Sequence, residues 1–366
     1  MRIILWVMLF FALIGLFDRL IGNKLGLGTE FEKGINLLGT LLLTMTGMIV
    51  LAPFLADIMT PLFNFVYTKA GIDPSVLTSS VFANDMGGAQ LAKAVCKSES
   101  LGAFNGLVIG SMMGATISFT VPFAVGYLDR KHQKEFTLGL LCGIVTVPLG
   151  CLAGGLIGGI STTAVLINLI PLTAFAGILS LTLLFFPKAC IRAFKWFGIF
   201  IKVLVSAGLA FGMIRFLTGY EIVKGLGTFE EGAEICLKCA VALSGAFPLL
   251  KILSLLLKRP LGLLSRLLKV NEKSTLGFIS SMASNVPTFE MMKDMDKKGA
   301  VLNCAFAVSG SFVIADHLAF TLAFDGAYLG QVVVAKLVGG ITAVIFADFI
   351  YKKVGKSVLT EEKDEK

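Results

Sequence analysis

The chain has 366 residues, of which 56% are hydrophobic and only 15% charged, and its mean hydropathy is +0.86. Soluble domains carry about 25% charged residues, so this composition excludes a soluble globular protein and indicates an integral membrane protein. The net charge of +8 does not point to nucleic acid, because the basic residues fall between apolar segments, where they orient a chain in the bilayer.

Apolar segments fall near 3–21, 35–58, 76–96, 101–127, 136–160, 163–186, 197–217, 234–257, 274–292, 299–324 and 328–350. The first begins like a signal peptide, but Asp18-Arg19 stands where a small-residue cleavage site is needed, so a retained helix ending in a boundary pair is expected. The third segment contains Asn84, Asp85, Gln90 and Lys93, and the ninth contains Asn285, Pro287 and Glu290. A central charge costs about 2.5–3.5 kcal/mol on insertion scales, so neither segment is expected to lie against lipid. Each should also be interrupted: Gly87-Gly88 in one and Pro287 in the other leave backbone groups without helical partners. Paired helix breaks at corresponding places in two halves point to a transporter's binding site.

An internal repeat is readable. Gly26-Leu27-Gly28-Thr29 followed by Phe31-Glu32-Lys33-Gly34 recurs as Gly225-Leu226-Gly227-Thr228 followed by Phe229-Glu230-Glu231-Gly232. Asp85 falls on Asn285, Lys93 on Lys293 and Asn105 on Asn303, at an offset of 198 to 200. Five segments form each half and 163–186 joins them. Basic residues crowd 258–273, whereas the matching first-half loop holds only Lys69; Arg130, Lys131 and Lys134 have no counterpart in 325–328. This reversed bias requires inverted halves. The expected fold is therefore an all-α polytopic membrane protein, an inverted repeat of two five-segment halves with about nine spans plus two re-entrant hairpins (76–96 and 274–292). The N-terminus should face outward and the C-terminus the cytoplasm. The regions are a first repeat (1–162), a joining helix with a basic cytoplasmic loop (163–196), a second repeat (197–351) and a cytoplasmic tail (352–366). Leucines interleaved with bases in Lys258–Lys273 suggest an interfacial amphipathic helix at the lipid surface.

Candidate site residues are the polar groups held at membrane depth. Asp85 follows Asn84 at the first break, and Asp316-His317 lies inside segment ten. A carboxylate beside an imidazole can bind a cation, relay a proton or pair structurally. Asn105 and Asn303 can line a cavity or hydrogen-bond between helices. Glu290 and Lys293 share a helical face as a surface pair, and Asp57, Asp348 and Lys336 sit near segment ends as interfacial groups. Gly106, Gly110 and Gly114, and the series from Gly139 to Gly158, suit close helix packing. Of seven cysteines only Cys236 and Cys239 have a motif spacing, read as small apolar residues opening a helix. There is no P-loop, dinucleotide fingerprint, HExxH or GxSxG, so no cofactor, metal site or ATP-driven step is expected.

At these residues the sequence resembles the ethanolamine-utilisation permease family (EutH-type). The matching blocks are Asn84-Asp85-Met86-Gly87-Gly88, Gly110-Ser111-Met112-Met113-Gly114, the run Gly143–Leu156, Met291–Asp296, Asn303–Ser309 and Asp316-His317-Leu318. Ser284–Phe289 is similar to a family Asn-Asn-Ile-Pro-Met-Phe run, and Glu290 stands where glycine is expected. The resemblance implies bacterial import of ethanolamine across the cytoplasmic membrane for catabolism, with no enzymatic activity. A buried ammonium needs a formal negative charge, which only Asp85 and Asp316 supply at depth, Asp85 being preferred. Phe82 or Phe306 can add a cation–π contact, and Asn285 and His317 are the expected partners of the hydroxyl. Asn84, Gly87, Gly88 and Pro287 would present backbone or amide groups. H+ or Na+ is a candidate coupling ion, and a homo-oligomer a candidate assembly. An intramembrane enzyme using Asp85 and Asp316, and a cation-selective channel, are the alternatives; the repeat and the lack of a nucleophile beside a base argue against the enzyme.

Overall fold

The computed structural model describes residues 2–127, 132–256 and 258–355. Arg130, Lys131 and the tail beyond Gly355 lie outside them. The described residues are helical and contain no strand. In hydrocarbon every backbone group must be satisfied within the protein, and helices do so segment by segment.

Among the described residues, eight helical stretches are long and apolar enough to cross a membrane, from Ile3–Leu20 to Asp316–Lys353. They correspond to eight of the nine expected spans. Segment ten is the exception. It is split into Lys297–Ser309 and Asp316–Asp325, with 310–315 unwound between them. Exposed Trp6, Phe10, Phe17, Leu181, Phe185, Trp196 and Phe200 give the molecule an apolar outer surface, suited to lipid and not to water.

The halves make reciprocal contacts. Gly34 abuts the Ser244 backbone, and Gly232, its match at an offset of 198, abuts Thr46, the match of Ser244. Gly47 abuts Val205, and its match Gly245 abuts Met8. The Gln133–Ile157 helix packs along Leu329–Ile350 and on Lys297–Ser309, while Leu329–Ile350 packs on Asn105–Gly114.

The glycine ladders do the packing expected of them. A methyl at Gly106 would stand 2.9 Å from the Ala89 Cα, one at Gly110 3.2 Å from the Asn84 nitrogen, and one at Gly114 would overlap the Phe82 carbonyl. Segment four thus holds the backbone of the first broken segment against its own. Gly150 and Gly154 play the same part toward Ala335.

Asn105 and Asn303 fasten the two broken segments. Asn105 Nδ2 donates to Ser75 Oγ at 2.8 Å, and Asn303 Nδ2 to the Ser274 carbonyl at 2.8 Å and the Gly299 carbonyl at 2.9 Å. Both side chains are buried, and leaving such partners bare costs about 1–3 kcal/mol. Asn105→Leu and Asn303→Leu should each cost stability of that size, read as a lowered midpoint of thermal unfolding in detergent. An unchanged midpoint in both would remove the fastening role.

Other surface readings change too. Asp18 is 1% exposed and accepts the backbone N–H groups of Leu25, Leu27 and Gly28, so it closes the turn into the Leu27–Asn36 helix; Arg19 pairs with Glu32. Glu290 and Lys293 are exposed but form no ion pair among the described residues. Asp348 is bridged by Lys298 and Lys352. Lys258–Leu268 is helical, as its leucine spacing requires.

Candidate functional site

Three breaks converge near one place. In the first, Ala83 is extended (φ −61°, ψ 145°), and its N–H is held by Ser118 Oγ at 3.0 Å. Its carbonyl then accepts the N–H of Met86 at 3.2 Å and of Gly88 at 2.9 Å, so the chain winds around one oxygen. Winding that tightly needs a left-handed residue, and Gly87 supplies it at φ 82°. Gly88 itself is helical, contrary to expectation (φ −62°, ψ −38°). The result is a kinked stretch, Asn84–Gly88, packed on a wide-turned helical stretch, Asn105–Gly114. Wide helical turns of this kind recur at functional sites.

In the second break the extended residue is Ser284 (φ −156°, ψ 143°), whose Oγ caps the next helix by accepting the Val286 N–H. Pro287 is not at the break. It lies in the first turn of Asn285–Met291, where a missing N–H leaves nothing unpaired, and it is exposed. The extended residue comes directly before Asn84 in the first break and directly before Asn285 in the second. Both asparagines are 0% exposed. Asn285 Nδ2 donates to Thr120 Oγ1 at 3.1 Å, while neither polar atom of the Asn84 side chain has a partner. Asp85 follows Asn84, whereas the apolar Val286 follows Asn285.

The third break, 310–315, was not foreseen. Phe312 has φ 60°, which for a bulky residue is strained backbone. The strain is held from the side: the Phe312 N–H donates to the Ser281 carbonyl at 2.8 Å and the Ile314 N–H to the Met282 carbonyl at 3.0 Å. The second broken segment thus supplies the acceptors that the unwound chain lacks. Asp316 begins the helix that follows, where a carboxylate is favoured by the helix dipole.

These breaks set Asp85 and His317 side by side. His317 Nε2 lies 3.9 Å from Asp85 Oδ1, too long for a hydrogen bond. Its ring centroid is 5.0 Å from that of Phe312, and its Nδ1 is buried without a partner. Asp316 is within electrostatic reach of Asp85, and Cys239 is within reach of both carboxylates. Lys336, expected at an interface, is instead fully buried beside this cluster. Its Nζ donates to the Ser111 carbonyl at 2.6 Å, and Asp85 and His317 feel its charge. Phe82 packs obliquely on Phe197 at 6.4 Å. Phe306 belongs to a separate apolar cluster, edge-on to Phe278 at 5.4 Å.

A cavity of about 850 Å³ runs between the Pro187–Thr218 helix and residues 118–125, with Lys195 and Lys202 in its wall. It touches the first break at Met86 and Ser118, and its lining stops short of both carboxylates. No group of three or more candidate metal ligands occurs among the described residues.

Residues 1–350 match the family model described as "Ethanolamine utilisation protein, EutH". The chain is 40% identical over 361 residues to the "Probable ethanolamine permease EutH" of Listeria monocytogenes, covering 99% of this chain and 97% of that one. It is 36% identical to the protein of the same name from Salmonella typhimurium and 35% identical to that of Escherichia coli, each over 390 residues and 96% of both chains. No solved structure matches the chain. A match of this length, over a multi-pass helical protein of the cell membrane, means that the chain belongs to the EutH ethanolamine utilisation protein family.

Proposed function

We propose that this protein carries ethanolamine, as its ammonium ion, across the cell membrane by alternating exposure of a site at Asp85, Asp316 and His317. The names of the relatives supply the substrate. The carrying observation is the 3.9 Å gap between Asp85 Oδ1 and His317 Nε2, in a membrane protein, where three helix breaks meet. The distance is too long for a direct hydrogen bond, so both groups keep hydrogen-bonding capacity for a ligand beside them. Ethanolamine offers an ammonium with three donors and a hydroxyl that donates and accepts. The ammonium belongs on Asp85 and the hydroxyl beside His317, with the unpartnered Asn84 amide adjacent in sequence as a further acceptor.

A protein path is useful for this substrate. An amine of lysine-like pKa is almost wholly charged at neutral pH, and its permeant neutral fraction falls tenfold with each pH unit of acidification. The cavity that stops short of the carboxylates supports a gated path over an open pore. Uptake of labelled ethanolamine into proteoliposomes should therefore saturate and show counterflow against internal unlabelled substrate. Repeating it with pH and Na+ gradients identifies any coupling ion. Linear flux without counterflow would overturn the carrier in favour of a channel.

A further inference from the structure

Lys336 has no part in the binding mode above, yet it is the most enclosed charged side chain among the described residues, at 0% exposed. An ammonium has three donors; this one has a single hydrogen bond, to the Ser111 carbonyl, and no ion pair among the described residues. An enclosed charge is strongly unfavourable unless opposite charge offsets it. Here the opposite charge lies on the elements packed around its anchor: Asp85 is in Asn84–Gly88, which packs on Asn105–Gly114 and on the helix that Asp316 begins. Its anchor is part of the same construction. Ser111 lies in the wide-turned stretch Asn105–Gly114 that packs on the first break.

Counted formally, with His317 as neutral imidazole, two carboxylates and one ammonium leave one net negative charge. A dry site with that count is neutralised by one monovalent cation and overfilled by a dication. We infer that Lys336 sets the charge capacity of the site, making it take a single monovalent amine and reject diamines. This rests on the transport reading for where the site is, and it adds which substrates the site admits.

The test measures binding of ethanolamine, ethylamine and 1,4-diaminobutane to the purified full chain. Wild type should prefer either monoamine to the diamine by at least tenfold. Lys336→Met keeps the apolar stem and removes the charge, so the monoamine-to-diamine ratio should shift toward the diamine by at least tenfold. Adding Asp316→Asn restores the count of one negative charge, and the double variant should regain the monoamine preference. A role confined to holding the Ser111 carbonyl would weaken all three ligands alike and would not be rescued by that second change. A ratio unmoved by Lys336→Met, or moved but not rescued, overturns the inference. Should Lys336→Met fail to fold, Lys336→Arg must keep the wild-type ratio, and Asp316→Asn alone must weaken both monoamines at least tenfold; failure of either overturns it. Wild type that prefers ethylamine to the diamine yet does not bind ethanolamine would overturn the substrate assignment and leave the charge rule standing.

Discussion

Asp85→Asn should weaken ethanolamine binding at least tenfold and abolish uptake at low substrate, while the protein still inserts and folds. The argument is one of charge at close quarters. Asp85 is only 22% exposed and stands 3.9 Å from His317, and its carboxylate has no ion-pair partner nearer than that among the described residues. Breaking a buried ion pair by removing one partner costs about 3–5 kcal/mol, and about 1.4 kcal/mol is already a decade in affinity. The asparagine keeps the shape and one acceptor, so the loss reports the charge and not the packing. Asp316→Asn should also weaken binding at least tenfold but by less than Asp85→Asn, because its carboxylate makes no hydrogen bond or ion pair among the described residues and is partly exposed at a helix start. Equilibrium binding to both purified variants checks this. Unchanged affinity in both would mean that carbonyl oxygens at the breaks hold the ammonium, and that the site is built on other atoms.

How much of this was legible in the sequence depended on whether the cause was local. The first break was readable because its cause lies in five residues: an amide, a carboxylate and a glycine pair cannot continue an ordinary helix in an apolar segment. Even there the division of labour between the glycines was not readable, since Gly87 takes the left-handed turn and Gly88 is needed for the close approach of the Phe82 and Ala83 carbonyls. Pro287 misled because proline breaks a helix in its interior but fits its first turn, and which applies depends on where Ser284 ends the preceding one. The 310–315 break had only Ser309-Gly310-Ser311 as a signal, followed by apolar residues that read as continuing helix. It exists because Ser281 and Met282 carbonyls from another segment accept its N–H groups, a cause that no local pattern carries. Lys336 failed for the same reason. Its nearness to a segment end suggested an interface, but its burial is decided by the Asn105–Gly114 backbone packed against it.

Gly87→Ala should abolish transport, and Gly159→Ala should leave it intact. Both glycines have positive φ, 82° and 67°, and an L-residue there costs about 1–2 kcal/mol from the Cβ clash with its own backbone. That cost is common to both. The surroundings differ: a Cβ at Gly159 would meet nothing within 4 Å, whereas one at Gly87 would overlap the Met48 Cβ, with the Met48 carbonyl carbon at 3.2 Å. Met48 is 0% exposed and packed with Ile201 and Val205, so it has nowhere to retreat. The added methyl must push the Asn84–Gly88 turn off the Gly47–Ala70 helix, and Asp85, two residues away, moves with it. Forcing extra atoms into a filled core costs about 1–3 kcal/mol, so Gly87→Ala should be measurably less stable than Gly159→Ala as well as inactive. Thermal unfolding and ethanolamine uptake on the two variants give both numbers. Full uptake by a folded Gly87→Ala protein would show that the turn tolerates displacement and that Asp85 does not depend on it for its position.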